Sequence, residues 1–316
     1  MVWTGTRRTV LTAAGLGLLS ASCQVKGDRT AEEPRSPFTG EQRIGDRVLT
    51  VKIDNVRPAR PQTGLDRADI VYAEQVEAGL TRILAVFASR IPGETGPVRS
   101  ARESDLELLR QFDRPAFCYS GVQSRLRDRV ESAHLVALPP GRLPDGYVRR
   151  SGRPAPHNLH LRPEVALRAA SDASAPRDIG FRFGSAPSGG RRTAEHTVRY
   201  PSARYGFTWS ADEERWLVSM DGEPATTSGG DRLGAPTVVV QSVRIRSSAF
   251  GDRSGNNTPF TETVGSGRAL VLRGGREYDA RWSRPDAAGG TTFTDADGRR
   301  LRFARGQVWV LLAPTG

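Results

Sequence analysis

The residue types best suited to chemistry stand at the ends of short apolar runs. Gly96-Pro97-Val98-Arg99-Ser100-Ala101-Arg102 brings two guanidinium groups to the start of a predicted helix, and Tyr119-Ser120-Gly121-Val122 brings a glycine to the start of another. Backbone N–H groups at a helix start are unpaired and lie at the positive end of its dipole, so an anion is readily held there. Arginine adds a planar fork matched to phosphate oxygens. Arg99, Ser100, Arg102, Ser120 and Gly121 are therefore candidates for a phosphate or pyrophosphate cradle, although spacing alone favours ordinary capping with exposed arginines. If Ala78-Gly79 forms a two-residue turn, Glu77 and Arg82 project from one face as diagonal neighbours. That reads first as a structural ion pair and second as a carboxylate and a cation suited to metal-assisted phosphoryl transfer.

Asp54 and Asn55 close the first apolar run, where such residues commonly make turns; metal binding through Asp54 is the minority reading. His157 and His160 stand three apart in Pro156-His157-Asn158-Leu159-His160, but no third zinc ligand accompanies them. His157 is better placed as a polar site residue, with Asn158 beside it. No metal is assigned and no cofactor is named. Cys118, between Phe117 and Tyr119, reads as a small buried hydrophobe and not as a nucleophile. No serine-hydrolase elbow, P-loop or complete dinucleotide fingerprint is found, which removes the commonest enzyme classes.

The N-terminus bounds where such a site would work. Arg7 and Arg8 precede a mildly apolar run, Val10 to Ala21, that is too short to span a bilayer and ends at Cys23. The arginine pair resembles a twin-arginine export signal, and Leu19-Ser20-Ala21-Ser22-Cys23 resembles a lipobox whose cysteine carries lipid. Ser20 is the departure, since a larger aliphatic is usual there. Residues 1–22 are thus read as a signal peptide and 23–46, rich in Pro, Gly, Ser, Thr and charge, as a flexible tether. The expected location is the outer face of the cytoplasmic membrane, through a lipid anchor on Cys23. The net charge of +11 falls to +9 without Arg7 and Arg8, and Lys26 and Lys52 are the only lysines. A basic surface of this kind suits phospholipid headgroups, lipid-linked phosphate or an anionic wall polymer. Nucleic acid is not an expected partner of an exported chain.

The elements that must position these residues divide the body in two. Residues 47–170 mix strands (Leu49 to Ile53, Asp69 to Glu77, Leu80 to Ala88, Pro115 to Tyr119) with three helices. Ser100/Glu103 and Ser120/Gln123 supply capping-box spacings for the first two, and Pro163 opens the third. This predicts an α/β or α+β N-terminal domain. A Pro-, Ser- and Gly-rich stretch, 171–192, reads as a linker or long loop. Residues 193–316, with short strands and the turns Asp221-Gly222, Gly274-Gly275 and Asp297-Gly298, predict a smaller, predominantly β domain whose tryptophans belong to its core.

Ile53-Asp54-Asn55, Arg60-Pro61-Gln62-Thr63-Gly64-Leu65, Ala68-Asp69-Ile70-Val71-Tyr72, Glu77, Gly79, Thr81, Arg82, Gly96 to Arg102 and Pro156-His157-Asn158 together resemble the YerB-like lipoproteins, a bacterial family of unknown function. Trp282 and the Gly306 to Trp309 end extend the likeness over most of the body. The resemblance implies a two-part body on a lipoprotein anchor and no particular activity. A second likeness, of roles more than of strings, is to the LytR-CpsA-Psr phosphotransferases. It rests on the Asp-bearing first strand, Arg67 to Asp69, and the arginine-rich turn Arg99 to Arg102. It implies that Arg82, Arg99 and Arg102 grip a pyrophosphate while Asp54 or Glu77 helps hold a metal. Three roles follow: an anion-binding lipoprotein, an extracytoplasmic phosphotransferase or hydrolase, or a structural partner-binding lipoprotein. The first two require those arginines to gather around one helix start with room for a negatively charged guest.

Overall fold

Leu49–Asp54 (β1), Ile70–Gln75 (β2) and Thr81–Phe87 (β3) are buried on both faces for nearly all of their length, as strands covered on both sides are, with β1 apolar on the Leu49, Val51, Ile53 face and polar on the other. In the computed structural model, which describes residues 34–42, 44–251 and 257–315, they form the middle of one long mixed sheet. From one edge its order is Thr292–Thr294, Arg276–Arg284, Gly265–Arg273, Thr237–Val243, Val308–Pro314, β2, β3, β1, Ala116–Cys118 (β4) and Val136–Leu138 (β5). The last strand of the chain pairs in parallel with β2, so the two predicted halves, expected to be joined by a linker or long loop, share one sheet. β1, β4 and β5 are mutually parallel, and β3 runs against β1 and β2.

Each face of the sheet carries its own core. One is closed by a second, antiparallel sheet of Glu195–Tyr200, Ala203–Ser210, Arg215–Met220 and two short strands, and there Tyr205 and Phe207 each set a ring 6.3 Å from Trp309. The other is closed by the helix Glu103–Leu109 (α1) together with Phe38, Phe112 and Val130. The expectation of a mixed N-terminal part and a mainly β C-terminal part holds, with Arg127–Glu131 (α2) and Pro163–Ala169 (α3) completing the helices. Trp216, Trp282 and Trp309 are core residues, as expected. Cys118 is fully buried, and burial pushes its thiol up to about 12.

Several boundaries move. Phe38 and Thr39 are fully buried, so the folded body starts upstream of the predicted tether's end at residue 46. The signal peptide 1–22, Cys23 and tether residues 24–33 lie outside the described residues. The stretch 171–192 is a loop pinned to the core by Ile179 and Phe181 more than a free linker. Among the described residues no helix is long and apolar enough to cross a membrane.

Both predicted capping boxes are corrected. α1 begins at Glu103, and its N-cap Arg102 donates its backbone N–H to Asp105 Oδ2 at 2.7 Å. Ser100 cannot cap because residues 97–101 are committed to strand-like bonding: the Arg99 N–H donates to the Lys52 carbonyl (2.8 Å) and the Ala101 N–H to the Gly121 carbonyl (2.9 Å). Ser120 likewise starts no helix, since its N–H donates to the Arg99 carbonyl at 3.0 Å; the helical turns begin at Ser124. With only seven residues, α1 offers no helix-start cradle of the kind predicted.

Candidate functional site

The segment that fails as a helix start succeeds as a bridge. Val98 pairs with Ile53 on one side and donates its N–H to the Leu159 carbonyl (2.6 Å) on the other. Gly96 lies so close to the next segment that a Cβ there would meet the His160 ring at 3.0 Å, which requires glycine. This packing carries His157 across the chain to the carboxyl end of β1. There Asp54, 1% exposed, is hydrogen-bonded by His157 Nδ1 at 2.8 Å, and Arg99 Nε lies 3.0 Å from the same oxygen as an ion pair whose geometry makes no hydrogen bond. Open α/β sheets characteristically bind ligands outside the carboxyl ends of their parallel strands, where this corner lies.

Register explains what surrounds it. Arg82 of β3 stands directly opposite Asp54 on one side and Glu74 on the other, so all three side chains share a sheet face. Neither carboxylate bonds Arg82, which donates Nη1 to the Ser100 carbonyl at 3.0 Å. Burial and then the neighbouring Arg102 lower the Arg82 guanidinium to about 10. Glu74 is taken by Lys52, whose ammonium also reaches Asp105 Oδ1 at 2.7 Å. All three members of that set are 0–1% exposed, and Glu74 Oε2 has no partner. One ammonium serves two buried acids, so burial, with Asp105 adding repulsion against the pull of Lys52, pushes the Glu74 carboxyl up to about 7.

The predicted Glu77–Arg82 pair does not form. Glu77 opens the helical turn Glu77–Gly79, which takes it off the strand's alternation, and Arg102 grips it instead through Nε (2.6 Å) and Nη2 (2.8 Å). Burial opposes ionisation of Glu77, but the Arg102 fork outweighs it and draws the carboxyl down to about 2. Arg102 is thereby occupied by a carboxylate of its own. Arg99 is held only by its ion pair with Asp54: its side chain is 27% exposed and none of its guanidinium nitrogens makes a hydrogen bond among the described residues. Ser120 and Gly121 do lie beside the Arg99–Ala101 segment, through backbone bonds.

Asn55 and Asn158 hold structure together. Asn55 donates to Thr81 Oγ1 (2.9 Å) and to the Tyr205 hydroxyl (2.6 Å), accepts from Gln62 (2.8 Å), and so ties β1 to the second sheet. Asn158 accepts from Arg149 (2.7 Å) and donates to the Arg153 carbonyl (3.0 Å), fixing the loop that carries His157. His160 sits on the strand Leu159–Leu161 and pairs with Glu94 at 2.8 Å, so it does not share a helical face with His157. Among the described residues no group of three or more His, Cys, Asp or Glu is placed to hold a metal. Lys52, Glu74 and Asp105 were not singled out from the sequence. The available signal was Lys52 itself: one of two lysines in an arginine-rich chain, set inside the apolar run Leu49–Asp54.

The N-terminal domain of the family described as "Protein of unknown function (DUF3048)" matches residues 37–176, and its C-terminal domain matches residues 196–310. The chain belongs to the DUF3048 family. It is similar to the Bacillus subtilis (strain 168) protein named "Putative lipoprotein YerB", with 27% identity over 324 residues covering 97% of this chain and 95% of that protein. The crystal structure of YerB from Bacillus subtilis superposes with a TM-score of 0.75 at 22% identity, covering 88% of this chain and 96% of that one. The Asp54 corner lies wholly within the residues matched by the family's N-terminal domain.

Proposed function

We propose that this DUF3048 protein is an envelope lipoprotein, anchored through Cys23 to the outer face of the cytoplasmic membrane, that holds a phosphate-type oxyanion beside Asp54. The anchor is supported by the lipobox-like string ending at Cys23 and by the name of the Bacillus relative. One observation carries the binding reading. The buried Asp54 carboxylate aims His157 by a hydrogen bond to Nδ1 and holds Arg99 beside it by charge, leaving the other imidazole nitrogen and both terminal guanidinium nitrogens without partners among the described residues. Donors fixed in this way lose little entropy on meeting a phosphate oxygen. Arg82 adds positive charge behind them, while Arg102 is neutralised by Glu77 and takes no part.

Calorimetric titration of the full-length protein with inorganic phosphate and pyrophosphate tests the reading. Saturable binding is expected, weakened about tenfold or more by Arg99→Ala and by His157→Ala, the loss of one charge-assisted hydrogen bond. Arg102→Ala should lower the thermal midpoint and leave the affinity unchanged. No saturable binding, or equal affinity in both site variants, sinks the proposal. A hydrolytic reading is favoured by one further feature: a carboxylate 2.8 Å from imidazole Nδ1 orients the ring so that its other nitrogen can take a proton from water or a hydroxyl. Phosphate release from pyrophosphate that disappears in His157→Ala would establish it, and binding without release would exclude it.

A further inference from the structure

The widest clefts lie far along the chain from Asp54, on the C-terminal part of the long sheet. Two of them, of about 1200 and 760 Å³, share Ala186, Pro187, Arg273, Ala304 and Arg305 in their walls, and a third of about 440 Å³ continues past Trp209 and Arg276. The shared walls make one groove. Eight arginines line it; Glu214 and Asp295 stand in the same walls, and two of the arginines, Arg182 and Arg299, are paired with Asp178 (2.9 Å) and Asp297 (2.8 Å).

How those arginines are held matters more than their number. Arg273 is buried and donates Nη1 to the carbonyls of Gly184 (3.2 Å), Ser185 (3.4 Å) and Arg302 (2.6 Å). Arg276 donates to the Gly190 carbonyl at 2.8 Å, and Arg300 to the Gly180 carbonyl. Carbonyls fix a guanidinium in place without cancelling its charge, whereas a carboxylate would do both. Arg302 and Arg305 are exposed and have no partner among the described residues. The local sequence explains the direction of Arg302: in the extended segment 300–303 Leu301 and Phe303 are buried, so alternation turns Arg300 and Arg302 outward. Carbonyl-held Arg273, Arg276 and Arg300 together with unpaired Arg302 and Arg305 in one concave wall concentrate field toward an extended anion.

We propose that this groove is a second ligand site, separate from the Asp54 corner, which binds a linear phosphate-bearing polymer along its length. A groove of this extent engages several phosphates at once, so affinity comes from repetition and counterion release and should fall steeply with salt.

Inorganic polyphosphate and a poly(glycerol phosphate) chain are suitable probes for the full-length protein, with neutral dextran as control. Both anionic polymers are expected to bind, with log affinity falling linearly in log salt concentration. Measured in a His157→Ala background, so that binding beside Asp54 does not contribute, the double variant Arg302→Glu/Arg305→Glu should weaken them about tenfold or more and Arg302→Gln/Arg305→Gln by less. Neither arginine supports the fold through a partner, and an unchanged thermal midpoint in the Gln variant verifies that the loss is one of binding. Polymer affinity untouched by both double variants overturns the proposal. So does dextran binding equally well, or capture through these arginines of phosphatidylglycerol vesicles but not of free polymer. Because pyrophosphate binding at His157 is read in a separate titration, failure there leaves this result standing, and the reverse holds.

Discussion

Around Arg82, the cations Lys52, Arg82, Arg99 and Arg102 are interleaved with the carboxylates Asp54, Glu74, Glu77 and Asp105, most of them out of reach of water. Along the C-terminal groove, cations of the same chemistry face solvent, and the carbonyls that hold Arg273, Arg276 and Arg300 leave their charge standing. The contrast separates two uses of a basic composition. A compensated, buried network fixes geometry and resists change because each member's desolvation is offset only by its neighbours. An uncompensated, exposed row contributes almost nothing to folding and keeps its field available for a partner.

The largest effect should come from cutting the network at its only ammonium. Lys52→Met leaves Glu74 and Asp105 buried without their cation, and loss of one partner of a buried ion set costs about 3–5 kcal/mol. Chemical denaturation should show that loss. A change below about 1 kcal/mol, the range of exposed pairs, would mean the set is far better solvated than its burial indicates.

The same network should respond to pH in a direction opposite to most carboxylates. Folding raises the Glu74 carboxyl from its ordinary 4.5 to about 7, so the folded state holds a proton there that the unfolded chain has released. The stability this contributes is complete below pH 4.5 and is lost as pH rises through 7. Glu77 runs the other way: its depressed carboxyl stabilises above pH 4.5 and loses that contribution as pH falls towards 2. Glu74→Gln should therefore gain stability relative to the parent chain between pH 4.5 and 7. A stability difference that stays flat across that window would show that Lys52 keeps Glu74 ionised throughout.

These two regions also differ in how far the sequence disclosed them. The strands β1 to β3 are legible from the apolar runs of β2 and β3 and from the strict apolar–polar alternation of β1. Arg99, His157 and Asp54 are legible as polar residues at element ends, yet their meeting depends on Val98 bonding Leu159 and Ile53, a long-range pairing that no local spacing encodes. The capping-box spacings misled for a related reason. Ser100 has the right residue at the right interval, but tertiary backbone bonds claim its segment as strand, and local propensity yields to them. Lys52 hides in plain sight because an interior strand position is assumed apolar unless the chain's own bias, arginine nearly everywhere else, makes a lysine conspicuous. In the groove, the arginines at 273, 276, 302 and 305 come from separate turns and strands, and the chain's overall richness in arginine masks them in composition.

The smallest effect on folding should come from the groove, and there the comparison can be made sharpest. Arg302→Ala/Arg305→Ala removes two exposed side chains with no partner among the described residues, so stability should move by no more than about 0.5 kcal/mol. Added salt should likewise leave the denaturation midpoint of this variant and of the parent chain shifted by the same amount, since neither guanidinium contributes an ion pair to be screened. If the variant instead loses stability, or gains it by relief of mutual repulsion among the groove arginines beyond that margin, charge there is coupled to folding. The distinction between a compensated interior and a freely standing field would then be one of degree, set by how closely Arg273 and Arg300 beneath feel the outer pair.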